Sequence, residues 1–118
     1  MSLAAQLVTR LPGRARDARD ACTFASRLRG LHALPPLGPT EALLIRPCRA
    51  VQTWGMDYAI DALFLSNDGT VLEIRTLEPG RSASCRRARM VVETAAGTAA
   101  RLSLAPGHRL DIEGGDWR

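Results

Sequence analysis

The run AIDALFLSNDGTVLEIR, Ala59–Arg75, decides the fold. Apolar residues stand on both sides of Asn67-Asp68-Gly69. Asn and Asp tolerate the left-handed backbone of a tight turn, and Gly adopts it without a steric penalty, so the two flanks are expected to fold back on each other as a β-hairpin. In the second flank Leu72 and Ile74 alternate with Glu73 and Arg75, the period of a strand with one face covered. In the first, Ile60–Leu65 is apolar throughout except for Asp61, which by parity shares a face with Leu63 and Leu65.

Working outward, ALLIRPC (Ala42–Cys48) reads as a buried strand ended by Pro47, which cannot donate to a ladder. RMVVET (Arg89–Thr94) is a further strand. GTAARLSL is a helix of one or two turns, APG a tight turn, and HRLDI a closing strand with Leu110 and Ile112 inward. Upstream, CTFASRLRGL places Phe24, Leu28 and Leu31 on one helical face, with Thr23 as cap and Gly30 as stop. HALPPLGPT carries too much proline for anything but a surface connection. The sequence therefore predicts a mainly β protein, a single compact sandwich or barrel-like domain with two short helices at about 23–31 and 98–103. Residues 1–20 read as an arginine-containing arm or peripheral hairpin turned at Pro12-Gly13, residues 21–113 as the β domain, and 114–118 as a tail.

Composition narrows the class. A chain of 118 residues, 46% hydrophobic and 24% charged, has the balance of one globular domain. No apolar run approaches the roughly 20 residues that span a bilayer. The opening MSLAAQLVTRL lacks the basic start of a secretory leader, so the expectation is a cytoplasmic protein. All sixteen basic residues are Arg, a pattern that a GC-rich coding sequence produces without functional cause. The net charge of +4 permits an anionic partner. Against nucleic acid stand the five aromatics, too few for a stacking platform, and the absence of any recognition motif; only Arg86, Arg87 and Arg89 form a dense cluster.

Candidates for chemistry are few. The sequence holds no G-x-S-x-G elbow, zinc-helix motif, phosphate loop or dinucleotide fingerprint. Cys22, Cys48 and Cys85 stand too far apart to share a zinc by local spacing, and no metal or cofactor is expected. A cysteine nucleophile would need His32 or His108 as its base, but a surface histidine after a helix end or at a turn is the commoner explanation of each. Asp61 has two readings: a polar clasp satisfied by Thr53, a backbone amide or an arginine such as Arg27 or Arg29, or a carboxylate lining a pocket walled by Trp54, Met56 and Tyr58. Asp57 would be a second, solvated carboxylate. Trp54 and Met56 flank Gly55 on a sharp loop, where they either fill the edge of the core or form the rim of a site.

The strings RLRGL, ALLIRPCRAVQTWGMDYAIDALFLSNDGTVLEI and ARMVVETAAGTAARLSLAPG, in this order, resemble the bacterial and archaeal DUF192 family, also called UPF0127, over about Ala21 to Ile112. The resemblance implies a mainly β single domain and no established activity. Where many relatives read H-T-F-G-M this chain has Gln52-Thr53-Trp54-Gly55-Met56, and where they end in an acidic G-D it has Gly107-His108. Gln52 cannot ionise in place of a histidine. Cys48 and Cys85 match positions where some relatives carry cysteine, which suggests a thiol pair or disulfide; the alternative is two separately buried thiols. Three functions follow. The favoured one is a small noncatalytic module that binds a small molecule or a protein partner through the Trp54–Asp61 edge, namely Thr53, Trp54, Met56, Tyr58 and Asp61. The others are an enzyme of unrecognised type using Asp61 with Cys48 or a histidine, and a basic nucleic-acid adaptor.

Overall fold

The computed structural model describes residues 8–9, 36–39 and 41–110. Its strands are β1 (Val8–Thr9), β2 (Glu41–Ile45), β3 (Ala50–Gln52), β4 (Ile60–Leu65), β5 (Val71–Leu77), β6 (Ser82–Ser84) and β7 (Met90–Ala95), and its one described helix is α1 (Thr98–Arg101). Five strands form the main sheet in the order β1-β2-β7-β4-β5, and β3 and β6 form a separate two-stranded ribbon. All pairings are antiparallel except β1 with β2.

The hairpin at Ala59–Arg75 is present. β4 pairs with β5 from Ile60↔Leu77 to Leu65↔Val71, with a register shift between Phe64 and Leu65 that leaves Leu72 as the extra residue. The turn is tied by Gly69 N donating to Ser66 O at 3.0 Å and Ser66 N to Thr70 O at 2.9 Å, with Gly69 at φ 88°. Asp68 Oδ1 accepts from the Thr70 amide at 3.1 Å and from the Ser66 hydroxyl.

Because β4 lies between β5 and β7, all six of its residues are buried, and its side chains feed two apolar layers. Asp61, Leu63 and Leu65 share one face with Thr94, Val92 and Met90 of β7 and with Ala42 and Leu44 of β2. That face is closed by Ala99 of α1 together with Leu104 and Leu110. Ile60, Ala62 and Phe64 share the other face with Leu43, Ile45 and Val91, and the ribbon packs there through Val51 and Ala83. A central sheet covered on both sides is why Ile60–Leu65 is continuous rather than alternating in hydrophobicity.

Four details differ from the sequence reading. Helix 98–103 is one turn, Thr98–Arg101, with Ser103 just beyond it at φ 56°. The closing strand contributes a single bridge, Thr70↔Arg109, in which Val71 N donates to His108 O at 2.7 Å and Leu110 N to Gly69 O at 2.9 Å. Leu110 is buried as expected; Asp111 and Ile112 lie outside the described residues. Within the expected arm, Val8 and Thr9 form β1 beside Glu41 and Ala42. The ribbon was not foreseen, since each of its strands has three residues and only one buried side chain. The expected helix at 23–31 and the turn at Pro12-Gly13 lie outside the described residues. No helix among the described residues is long and apolar enough to cross a membrane.

Candidate functional site

Thr53–Met56 is a four-residue turn, closed by Met56 N donating to Thr53 O at 3.2 Å. Its third position needs a positive φ, which Gly55 supplies at 80°. Thr53 locks this turn onto a second one at Glu78–Arg81. The Thr53 amide donates to Arg81 O at 2.8 Å, and Thr53 O accepts from Gly80 N at 3.0 Å. The Thr53 hydroxyl donates to Glu78 O at 2.6 Å and accepts from Arg81 N at 2.9 Å. Thr53 is fully buried and Met56 is buried in the ribbon-side core, yet Trp54 between them is 64% exposed. It is the exposed large hydrophobic residue among those described. Tyr58 is half-buried against the same core, while Gln52 and Asp57 face solvent.

Asp61 sits elsewhere. At 2% exposure, its Oδ1 accepts from the Thr76 hydroxyl at 2.7 Å, and its Oδ2 accepts from the amides of Gly97 at 3.1 Å and Ala99 at 3.0 Å. The first amides of a helix have no intrahelical acceptor, and Gly97 at the N-cap has no side chain to offer one. A carboxylate from β4 does that work, joining the hairpin to the start of α1. The clasp is therefore real in geometry, but its partners are Thr76 and two amides, not Thr53. Asp61 also faces the helix side of the sheet, whereas Met56 and the ribbon pack on the other side. The structure does not bring Trp54, Met56, Tyr58 and Asp61 around one cavity.

The thiols also separate. Cys48 is disulfide-bonded and Cys85 is a free, partly exposed thiol, so the suggested bond between these two is not formed, although both contact the ribbon-side core. Cys22 and His32 lie outside the described residues. A disulfide-bonded Cys48 has no thiolate to act as a nucleophile, and Asp61 on the opposite face does not partner it. His108 Nδ1 accepts from the Ala105 amide at 3.2 Å, which fixes the ring within the turn after α1. No group of three metal-ligating side chains occurs among the described residues.

One residue escaped the sequence reading. Glu93 is 1% exposed at the centre of the main sheet, opposite Leu43 of β2 and Ala62 of β4. Its signal was available: a carboxylate inside the apolar strand RMVVET falls, by parity, on the face of Val91. Asp68, by contrast, is a surface acid, held down to a pKa of about 2 by hydrogen bonds from Ser66 and Thr70 and by the nearby Arg109 charge.

Comparison with known proteins adds a family and a fold. A family model, DUF192, described as uncharacterized ACR, matches residues 7–112. A "putative transcription regulator" from Sinorhizobium meliloti has a crystal structure similar to this chain, with a TM-score of 0.65 at 21% identity over 88% of this chain and 80% of that one. A protein of unknown function from Novosphingobium aromaticivorans is similar with a TM-score of 0.61 at 18% identity, over 87% of this chain and 73% of that one. No curated protein matches. At these identities the two structures establish a shared fold.

Proposed function

The chain belongs to the DUF192 family, and from that fold and the geometry of the Trp54 turn we propose that it is a noncatalytic binding module. The single observation that carries the reading is an indole exposed to solvent on a turn whose first residue, Thr53, is bonded through its amide, carbonyl and hydroxyl. An exposed tryptophan costs solvation, and the hydrogen bonds that Thr53 makes with Glu78, Gly80 and Arg81 fix the backbone on which Trp54 stands. Solvent-facing aromatics on a fixed backbone anchor partners, because they have few rotatable bonds to order when they are covered. The two side chains that the sequence offered for catalysis, Asp61 and Cys48, speak for the same reading. Asp61 spends both oxygens on the protein, and Cys48 is oxidised.

The binding surface is thus centred on Trp54, with Tyr58 at its margin; Thr53 and Met56 act as its buried supports and Asp61 belongs to the frame.

The test is an amide chemical-shift titration of the full chain with nucleotides and with short peptides. Perturbations centred on Trp54, Gly55 and the adjoining ribbon residues support the reading. Perturbations centred on Gly97, Ala99 and Thr76, around Asp61, or turnover of any added compound, overturn it.

A further inference from the structure

Arg49 and the cluster Arg86, Arg87 and Arg89 are remote in sequence and adjacent in the fold. Cys85 N donates to Arg49 O at 2.9 Å and Cys48 N to Arg89 O at 3.2 Å, so the loop entering β3 and the loop leaving β6 run side by side. Cys85–Ala88 is a turn closed by Ala88 N donating to Cys85 O at 3.1 Å, with Arg86 and Arg87 at its two central positions. All four arginines are exposed. None makes an ion pair with a described residue, and no acid occurs from Ala42 to Met56 or from Arg81 to Val92. Four like charges are thus pinned at one end of the ribbon by backbone bonds, without a paired acid among the described residues, and they attract an anion there.

From that end the outer face of the ribbon runs to Trp54. Its solvent-facing residues are Ala50 opposite Ser84 and Gln52 opposite Ser82, all small or uncharged. Five residues of extended chain separate Arg49 from Trp54, about 17 Å. At the Trp54 end the exposed acids Asp57 and Glu78 offset the exposed Arg81, so the unbalanced positive charge lies at the other end. A partner that fits this strip carries phosphates at one end and a flat, unpaired ring at the other.

We propose that the outer face of the β3–β6 ribbon binds single-stranded nucleic acid, with Arg49, Arg86, Arg87 and Arg89 on its phosphates and Trp54 stacked on a base. The proposal deepens the reading of Trp54 above and rests on it for the stacking half alone. A single strand fits better than a duplex because its bases expose a face to the indole. In linear sequence the arginines look like a short cluster and an isolated residue; the fold makes them one patch.

The test is fluorescence anisotropy of a short labelled thymidine oligonucleotide with the full chain, between about 50 and 200 mM salt. The proposal requires that R86Q/R87Q weaken binding about tenfold and flatten the log–log salt slope by about 1.4, two phosphate contacts at about 0.7 each. R75Q/R101Q removes the same net charge away from the strip and should change affinity less than about twofold. W54A should weaken binding about tenfold with the salt slope unchanged. Equal losses from the two arginine pairs, no binding at the lowest salt, or equal affinity for heparin would overturn the nucleic-acid site. If W54A alone has no effect, the arginine site stands and the stacking role of Trp54 is refuted.

Discussion

Replacing Asp61 separates a structural carboxylate from a catalytic one. Asp61→Ala removes the acceptor for one buried amide, Ala99 N, and for two groups closer to solvent, Gly97 N and the Thr76 hydroxyl. Water can reach the latter two, so the main loss is the charge-assisted bond by which Asp61 caps the helix at Ala99. A bond to a charged group contributes about 1.5–3 kcal/mol, and because this bond is itself the cap the expected loss is about 2–3 kcal/mol. In a domain of this size that lowers Tm by roughly 10 °C. Asp61→Asn should cost less, about 1 kcal/mol, because its carbonyl can still accept the two amides while its NH₂ turns toward Thr76 Oγ1. Urea denaturation of the three proteins, with unchanged m-values, gives both numbers. Were Asp61 a catalytic acid held in strain, its removal would leave stability unchanged or raise it. An Asp61→Ala protein within about 0.5 kcal/mol of the parent would refute the clasp.

Other expectations concern the turns and thiols. Asp68→Ala should lower Tm at neutral pH; since the folded pKa of Asp68 is depressed from 3.8 to about 2, its contribution is full above 3.8 and fades as pH falls through 2. A Tm gap that persists unchanged below pH 2 would contradict this. Gly55→Ala, at φ 80°, should destabilise by about 1–2 kcal/mol through backbone strain, and Thr53→Val by about 1–3 kcal/mol through unpaired groups at Glu78 and Arg81, both read by urea melts. Trp54→Ala should change stability by less than about 0.5 kcal/mol; a larger loss would place the indole in the core. Alkylation should label Cys85 in the native protein and Cys48 only after reduction, and native labelling of Cys48 would contradict the disulfide.

The sequence made the frame legible where a local rule sufficed. Asn67-Asp68-Gly69 forced the hairpin, Pro47 ended β2, and parity alone put Asp61 on the face of Leu63 and Leu65. It could not show what lay across from that face. Whether Thr53 or the amides of Gly97 and Ala99 met Asp61 depended on which layer covered which side of the sheet, a tertiary fact with no local signal. The ribbon failed for a related reason: Ala50–Gln52 and Ser82–Ser84 have too few residues for a period to emerge, and their pairing is long-range. The Trp54 loop was recognisable from Gly55, but its exposure was not. That depended on where long-range bonds such as Arg81 N to Thr53 Oγ1 set the turn in the fold.

The account rests on Trp54 being the surface through which the protein meets its partner. Trp117 is the chain's other tryptophan, so W117F leaves Trp54 as the sole indole reporter. Titrating that variant with the thymidine oligonucleotide while following tryptophan emission is the most direct measurement. The account requires saturable quenching that tracks the anisotropy curve. Binding seen by anisotropy with the emission of Trp54 unchanged would contradict it.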